Sequence, residues 1–279
     1  MKIQYLGTAA AEGIPAMFCE CELCKRAQQA GADEIRTRSG VLINERILMD
    51  LSPDLYYHKL RYGLNLTAIN TVVVTHSHTD HFDRAELTRR STEHYCHVKQ
   101  EQPLVVYGNE RVCRLGREAI LEEFGKTVES SIRFRTVQPF EAWEVDGVRF
   151  QAIPASHDSS EPCLIYVIRD AAGCVLYGND TGLLSEEAYD SLTGLKFDLV
   201  SLDCTFGFRS VPEGGHMGFP ENQIFVEALR KRGCIKPETR ILATHFSHNM
   251  GMLKREVERE GQKYGIEAAY DGMICLVGE

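Results

Sequence analysis

Three histidines and an aspartate fall within six residues, His76-Ser77-His78-Thr79-Asp80-His81. Neutral imidazole and carboxylate are the ligands of zinc, manganese and iron(II). With ten histidines in 279 residues, a run this dense is not a product of composition. It carries one ligand too many for a single tetrahedral site. Two neighbouring metals suit it better, with His76 and His78 facing one and Asp80 and His81 the other. Asp80 beside a second carboxylate also fits a pair of cations better than one.

Further ligand-type residues stand in turn-prone or strand-end contexts. His157 lies in Pro-Ala-Ser-His-Asp, Asp180 in Gly-Asn-Asp-Thr-Gly, and His216 in Gly-Gly-His-Met-Gly. His245 and His248 lie in Ala-Thr-His-Phe-Ser-His. Alone, each is more often a hydrogen-bonded turn residue. A second cluster, Cys19-x-Cys21-x-x-Cys24, has thiolate spacing that favours zinc. Three sulfurs leave one tetrahedral corner, which is either open for catalysis or closed by His248. His58, His94 and His97 have no partner at ligand spacing and read as core or surface residues.

The elements that must position these residues follow from apolar period and turn chemistry. Residues 71–75 are a β-branched run, a buried strand that holds rigidly whatever leaves its end. Strands are also expected at 2–6, 103–107, 132–137, 148–153, 164–168, 174–177, 197–202, 240–244 and 273–277. Residues 39–43 and 46–51 form a hairpin around Asn44 and Glu45. Helices are expected after Cys24, at 53–62 with Ser52 as N-cap and Gly63 as stop, and at 84–94, 109–124, 185–192, 221–232 and 252–264. Strands cluster and helices fall between them in both halves, so two sheets packed face to face with helices outside are expected. With no linker, low-complexity tract or repeat, residues 1–279 read as a single domain.

Composition is that of a globular protein, 43% hydrophobic and 25% charged. The net charge of −9 and pI near 5.6 argue against wrapping a long nucleic acid, which needs a basic stripe. They leave room for a small anionic substrate held by metals. No stretch approaches the roughly 18 apolar residues of a membrane span. The first residues lack a signal peptide's apolar core. A cytoplasmic location is therefore expected, with the ten cysteines reduced or metal-bound. Cys96, Cys113, Cys163, Cys174, Cys204, Cys234 and Cys275 read as mostly core residues.

A buried strand running into H-x-H-x-D-H, then an isolated His, an Asp and a late His, resembles the metallo-β-lactamase-fold hydrolases. The match in order and spacing covers nearly the whole chain. It implies an αββα sandwich with a dinuclear site along the sheet edges. Metal one would be held by His76, His78 and His157, metal two by Asp80, His81 and His245, with Asp180 bridging. Asp50 matches a position that supports the ligand loop by hydrogen bonds. The cysteine cluster together with Thr-His-Phe-Ser-His resembles the PhnP-like branch, which implies a structural zinc on Cys19, Cys21, Cys24 and His248. That zinc would pin the N-terminal loop and brace His245. PqqB shares the cysteines but departs from H-x-H-x-D-H.

The PhnP-like resemblance implies a phosphodiesterase in which a hydroxide shared by two divalent metals (zinc, manganese or iron) attacks small, including cyclic, phosphodiesters. It assigns catalysis to Asp80 and His216, the histidine assisting the leaving group, and makes a homodimer the expected assembly. Competing readings use the same ligands. An RNase Z-like nuclease would need a basic RNA-docking arm, and none is present. A thiolesterase or lactonase would attack carbon, an iron-loaded oxidoreductase would consume oxygen, and a PqqB-like accessory protein would do no catalysis.

Overall fold

The structure, a computed structural model, describes residues 1–92, 94–99, 102–211 and 214–278. The N-terminal half forms β1 (Lys2–Gly7), α1 (Glu22–Ala30), β2 (Gly40–Ile43), β3 (Ile47–Met49), α2 (Leu55–Tyr62), β4 (Thr71–Val73), α3 (Arg84–Thr88), β5 (Leu104–Gly108), α4 (Glu110–Phe124) and β6 (Ile132–Thr136). The C-terminal half forms β7 (Ala142–Val145), β8 (Val148–Pro154), β9 (Leu164–Arg169), β10 (Cys174–Gly178), α5 (Glu186–Asp190), β11 (Phe197–Asp203), α6 (Phe219–Lys231), β12 (Ile235–Thr244), α7 (Lys254–Gln262), β13 (Glu267–Ala268) and β14 (Ile274–Leu276).

One sheet has the order β14-β1-β2-β3-β4-β5-β6 and the other β13-β12-β11-β10-β9-β8-β7. Their inner faces share one apolar layer, with Ile3, Tyr5 and Val73 from the first sheet meeting Phe150, Tyr166 and Leu199 from the second. Trp143 stacks between Tyr107 and Phe150 at 5.5 and 5.3 Å. The outer face of the first sheet packs Leu42, Leu48 and Val106 against Leu87, Val112 and Ile120 of α3 and α4. The outer face of the second packs Leu176, Val200 and Leu202 against Ala188, Phe225 and Val257 of α5, α6 and α7. The architecture is the expected αββα sandwich.

Strands β3, β4 and β5 run parallel, as do β10, β11 and β12. Their carboxyl ends therefore meet at one rim, where open α/β sheets collect their ligands. The hairpin turns through the three residues Asn44, Glu45 and Arg46 between the paired Ile43 and Ile47, the first two with left-handed φ of 48° and 59°.

Several expected boundaries differ. Helix α2 begins at Leu55 with Asp54 as N-cap. Asp54 makes no side-chain capping bond, whereas the expected cap, Ser52, accepts Asp54 N at 3.2 Å and donates to Arg38 O at 3.4 Å. The helix expected over 84–94 stops at Thr88, and residue 93 lies outside the described residues. Strands β7 and β13 were not anticipated. Among the described residues no helix is long and apolar enough to cross a membrane.

Candidate metal centre

The ligand-type residues expected from sequence converge at that rim. His76, His78, His157 and Asp180 offer ligand atoms that all lie within 4.8 Å of one another, and so do Asp80, His81, Asp180 and His245. Asp180 belongs to both groups. His76 Nε2 stands 3.3 Å and His81 Nε2 2.9 Å from Asp180 Oδ2. His81 Nε2 is 3.2 Å from Asp80 Oδ2 and 3.3 Å from His245 Nε2. A tetrahedron with metal–nitrogen bonds of 2.0–2.1 Å has edges of about 3.3 Å, so these separations are those of a ligand cage.

Hydrogen bonds set the tautomers and show why a cation belongs there. His157 Nδ1 donates to Gly215 O at 2.9 Å, and His78 Nε2 faces Asp158 Oδ2 at 3.2 Å. Each ring's remaining nitrogen is then a lone-pair acceptor, and the two meet at 3.2 Å. His81 Nδ1 donates to Asp50 Oδ2 at 2.8 Å, so its Nε2 lone pair faces the carboxylates of Asp80 and Asp180. Acceptors opposed this closely repel unless a cation joins them. His76 Nε2 is buried with no hydrogen-bond partner among the described residues, and Asp180 Oδ1 stands 2.8 Å from His245 Nδ1. Both groups therefore fit divalent metals.

Electrostatics agree. Burial opposes charge on His81, but the carboxylates of Asp180, Asp80 and Asp50 outweigh it and draw a positive charge to its Nε2, a proton where no metal takes that place. Burial, reinforced by the charge of His81, pushes His76 well below its ordinary range. Asp80 is held low because His81 and His245 overcome its burial.

Local backbone aims these side chains. Asp50, Asp180 and His245 adopt φ of 62°, 51° and 60°, a region costing non-glycine residues roughly 1–3 kcal/mol each. Each sits just past a strand end, where the turn redirects the side chain into the rim. Asp50 accepts from Thr75 N and Oγ1 at 2.8 and 2.9 Å as well as from His81, so it holds the ligand turn as expected.

Three participants were not singled out from the sequence. Asp203, ending β11, accepts His216 Nδ1 at 2.8 Å. Thr205 Oγ1 lies 2.9 Å from His245 Nδ1. Glu161, 7% exposed, takes Ser77 Oγ at 2.6 Å, Ser77 N at 3.1 Å and Asn109 Nδ2 at 2.7 Å, clamping the turn between His76 and His78. Asp203 carried the same signal as Asp180, a carboxylate closing an apolar strand. Burial opposes charge on His216, yet Asp203 raises its pKa above the ordinary value.

The cysteine cluster also assembles. His248 Nδ1 is 3.3 Å from Cys19 Sγ and 3.5 Å from both Cys21 Sγ and Cys24 Sγ. Zinc–sulfur and zinc–nitrogen bonds of ordinary length give a tetrahedral S···N edge of about 3.5 Å. Cys21 is the N-cap of α1. Its thiol is lowered to about 6, chiefly by the backbone N–H of Cys24, while burial pushes Cys24 up to about 12. Phe246, between His245 and His248, bonds Thr8 O and Ala10 N through its backbone at 2.9 and 3.0 Å, tying this cluster to the rim.

The other histidines stay apart. His58 is buried against Thr37, and His94 packs on Tyr95. All ten cysteines are free thiols, and of the seven outside the cluster only Cys96 is not buried.

Residues 45–246 match the Beta-lactamase superfamily domain. The whole chain is 24% identical to an octanoyltransferase of Porphyromonas gingivalis, covering 52% of it. Over 53% of its length the chain is 26% identical to coenzyme PQQ synthesis protein B of Bradyrhizobium diazoefficiens, covering 49% of that protein. The chain thus spans about half the length of these curated relatives. Among solved structures, a diphosphatase from the PhnP family superposes with a TM-score of 0.73 at 22% identity, covering 99% of this chain and 97% of that one. Zn(2+)-bound PqqB from Methylobacterium extorquens gives 0.74 at 18%, covering 99% and 100%. Human tRNase Z, short form, gives 0.69 at 16%, covering 99% of each. At these identities the structures speak for the fold, and the domain match spans most of the sequence. The chain belongs to the beta-lactamase superfamily domain family and has the metallo-β-lactamase fold.

Proposed function

We propose that the protein is a dinuclear metal-dependent hydrolase of small phosphodiesters, cyclic ones included. The observation that carries this reading is the crowding of ligand-type atoms on both sides of Asp180, which suits a pair of cations. Metals bound there supply Lewis acidity toward water and the phosphoryl oxygens. The chain's residues do the rest. His76, His78 and His157 hold one position, Asp80, His81 and His245 the other, and Asp180 serves both. Asp50, Thr75 and Glu161 keep the ligand turn in register.

Asp203 engages His216 Nδ1 and leaves Nε2 for the substrate. With its pKa raised, His216 is a proton donor near neutral pH. As water adds at phosphorus and the ester P–O bond breaks, the departing alkoxide takes the Nε2 proton. Asp80 acts here as a ligand rather than as a proton carrier. Zinc at the cysteine cluster would be structural, held by Cys19, Cys21, Cys24 and His248.

The test is metal content per chain beside turnover of bis-p-nitrophenyl phosphate, in the wild type and a His78→Ala/Asp180→Ala double variant. About three metals in the wild type and about one in the variant, with turnover lost, is the expected result. One metal in both proteins, with no turnover after manganese addition, overturns the reading. Turnover of a thioester or lactone in place of the phosphodiester moves the reaction from phosphorus to carbon.

A further inference from the structure

His78 differs from the other ligands of the first metal position. Its side chain is 43% exposed, whereas those of His76, His157 and Asp180 are 1, 8 and 2% exposed. A ligand holds its geometry when packing or an outer hydrogen bond locks its rotamer. Packing does that for the buried three. The Glu161 clamp on Ser77 fixes the backbone just before His78, but it does not stop the half-exposed ring from turning away.

Asp158 grips the outer edge of that ring. Its Oδ2 stands 3.2 Å from His78 Nε2, while His78 Nδ1 meets His157 on the metal side. The carboxylate is held in turn. Its Oδ1 accepts Ser160 N and its Oδ2 accepts Ser160 Oγ, both at 2.8 Å. Arg111 Nη1, from the first turn of α4, donates to Ser160 Oγ at 2.8 Å. A chain of bonds thus runs from α4 through the loop after β8 to the ligand. A carboxylate that takes one imidazole N–H fixes the tautomer and makes the other nitrogen a stronger ligand.

We propose that Asp158 is a positioning residue for the first metal, locking the exposed His78 ring and thereby setting how tightly that position holds a divalent cation. The inference rests on the dinuclear centre proposed above, but not on the reaction assigned to it. Asp158 acts through His78 and is not itself a ligand. Ser160 and Arg111 support it from behind.

The experiment is equilibrium dialysis of the full-length protein against buffered free zinc, from picomolar to micromolar, with metals counted per chain. The wild type should hold about three. Asp158→Asn keeps the shape and loses the charge. It should need about 10–100-fold more free zinc to fill one position, with the zinc of the cysteine cluster retained and the circular dichroism spectrum unchanged. Ser160→Ala, which removes one bond to Asp158, should shift the same position in the same direction by less. In a His78→Ala background, with free zinc raised until the first position refills, Asp158→Asn should cost no further affinity. A carboxylate that merely shaped the loop carrying His157 would cost the same factor in both backgrounds. Three metals in the wild type with first-position affinity unchanged in Asp158→Asn overturns the proposal, and so does an equal loss with and without His78. A wild type that holds the cluster zinc alone overturns the dinuclear centre, and this proposal with it.

Discussion

Asp203 decides which nitrogen of His216 is free, and that makes the pair a test of the proposed proton transfer. Asp203→Asn keeps a side chain of the same shape but removes the charge that favours the imidazolium. In the proposed reaction kcat should fall by about 10²-fold or more, with KM little changed and metal content equal to the wild type. His216→Gln should cost a similar factor, and the double variant should be no worse than the more damaged single one, because the two residues act as a unit. Equal kcat in all three would remove His216 from the chemistry. The residues that were legible in the sequence were those whose ligand atoms crowd together along the chain: His76, His78, Asp80 and His81. Glu161 was silent because its partner is remote. Glu161 bonds Ser77 from 84 positions away, and nothing local distinguishes such a carboxylate from one facing water. The left-handed φ of Asp50, Asp180 and His245 was equally hidden, since glycine alone advertises that conformation.

Helix α4 shows what governs an element once it is packed. A Cβ at Gly116 would overlap the Phe134 ring and come within 3.2 Å of Phe82 Cζ, the residue following His81. Gly116→Ala should gain about 1 kcal/mol of helix propensity yet lose about 1–3 kcal/mol to overpacking. The expected outcome is a lower denaturation midpoint, read by urea titration, where propensity alone predicts a higher one. Elements with a continuous apolar period and a clear stop were legible, as in α4, expected over 109–124 and found over Glu110–Phe124 with Asn109 as its N-cap. Competition between caps was not. Asp54 stands at the N-cap position of α2, but its carboxylate takes the Arg38 guanidinium and makes no capping bond, while Ser52 Oγ accepts Asp54 N from two residues earlier. Strand β7 was missed because Ala142–Val145 is short and half-exposed, held by its pairing with β8 and by Trp143 in the inter-sheet layer.

At the scale of the molecule, the αββα layering was legible because two strand-rich halves with interleaved helices admit few packings. The polar network that ties the chain's distant parts together was not. Thr37 donates to Asp271 at 2.7 Å, and His58 Nε2 meets the same hydroxyl at 2.7 Å. Because Thr37 gives its proton to Asp271, His58 is the donor through Nε2 and stays neutral. Arg36, 5% exposed, bonds Thr8 at 2.7 Å and lies over the Phe246 ring at 4.5 Å. An early segment, α2 and a late loop thus share one buried network. Burial lowers His58 from an ordinary 6.5 to about 4. The unfolded chain therefore binds this proton first, and the contribution of His58 to stability is present above pH 6.5 and lost as pH falls toward 4. At about 1.4 kcal/mol per pH unit, the loss amounts to at most about 3 kcal/mol. Asp271, which burial raises, acts in the opposite sense, so the wild-type curve alone does not isolate the histidine. His58→Gln keeps a donor to Thr37 and cannot titrate. Its denaturation free energy should fall less than the wild type's between pH 7 and pH 4, by up to that amount, and parallel curves for the two proteins would show that His58 does not carry the acid sensitivity.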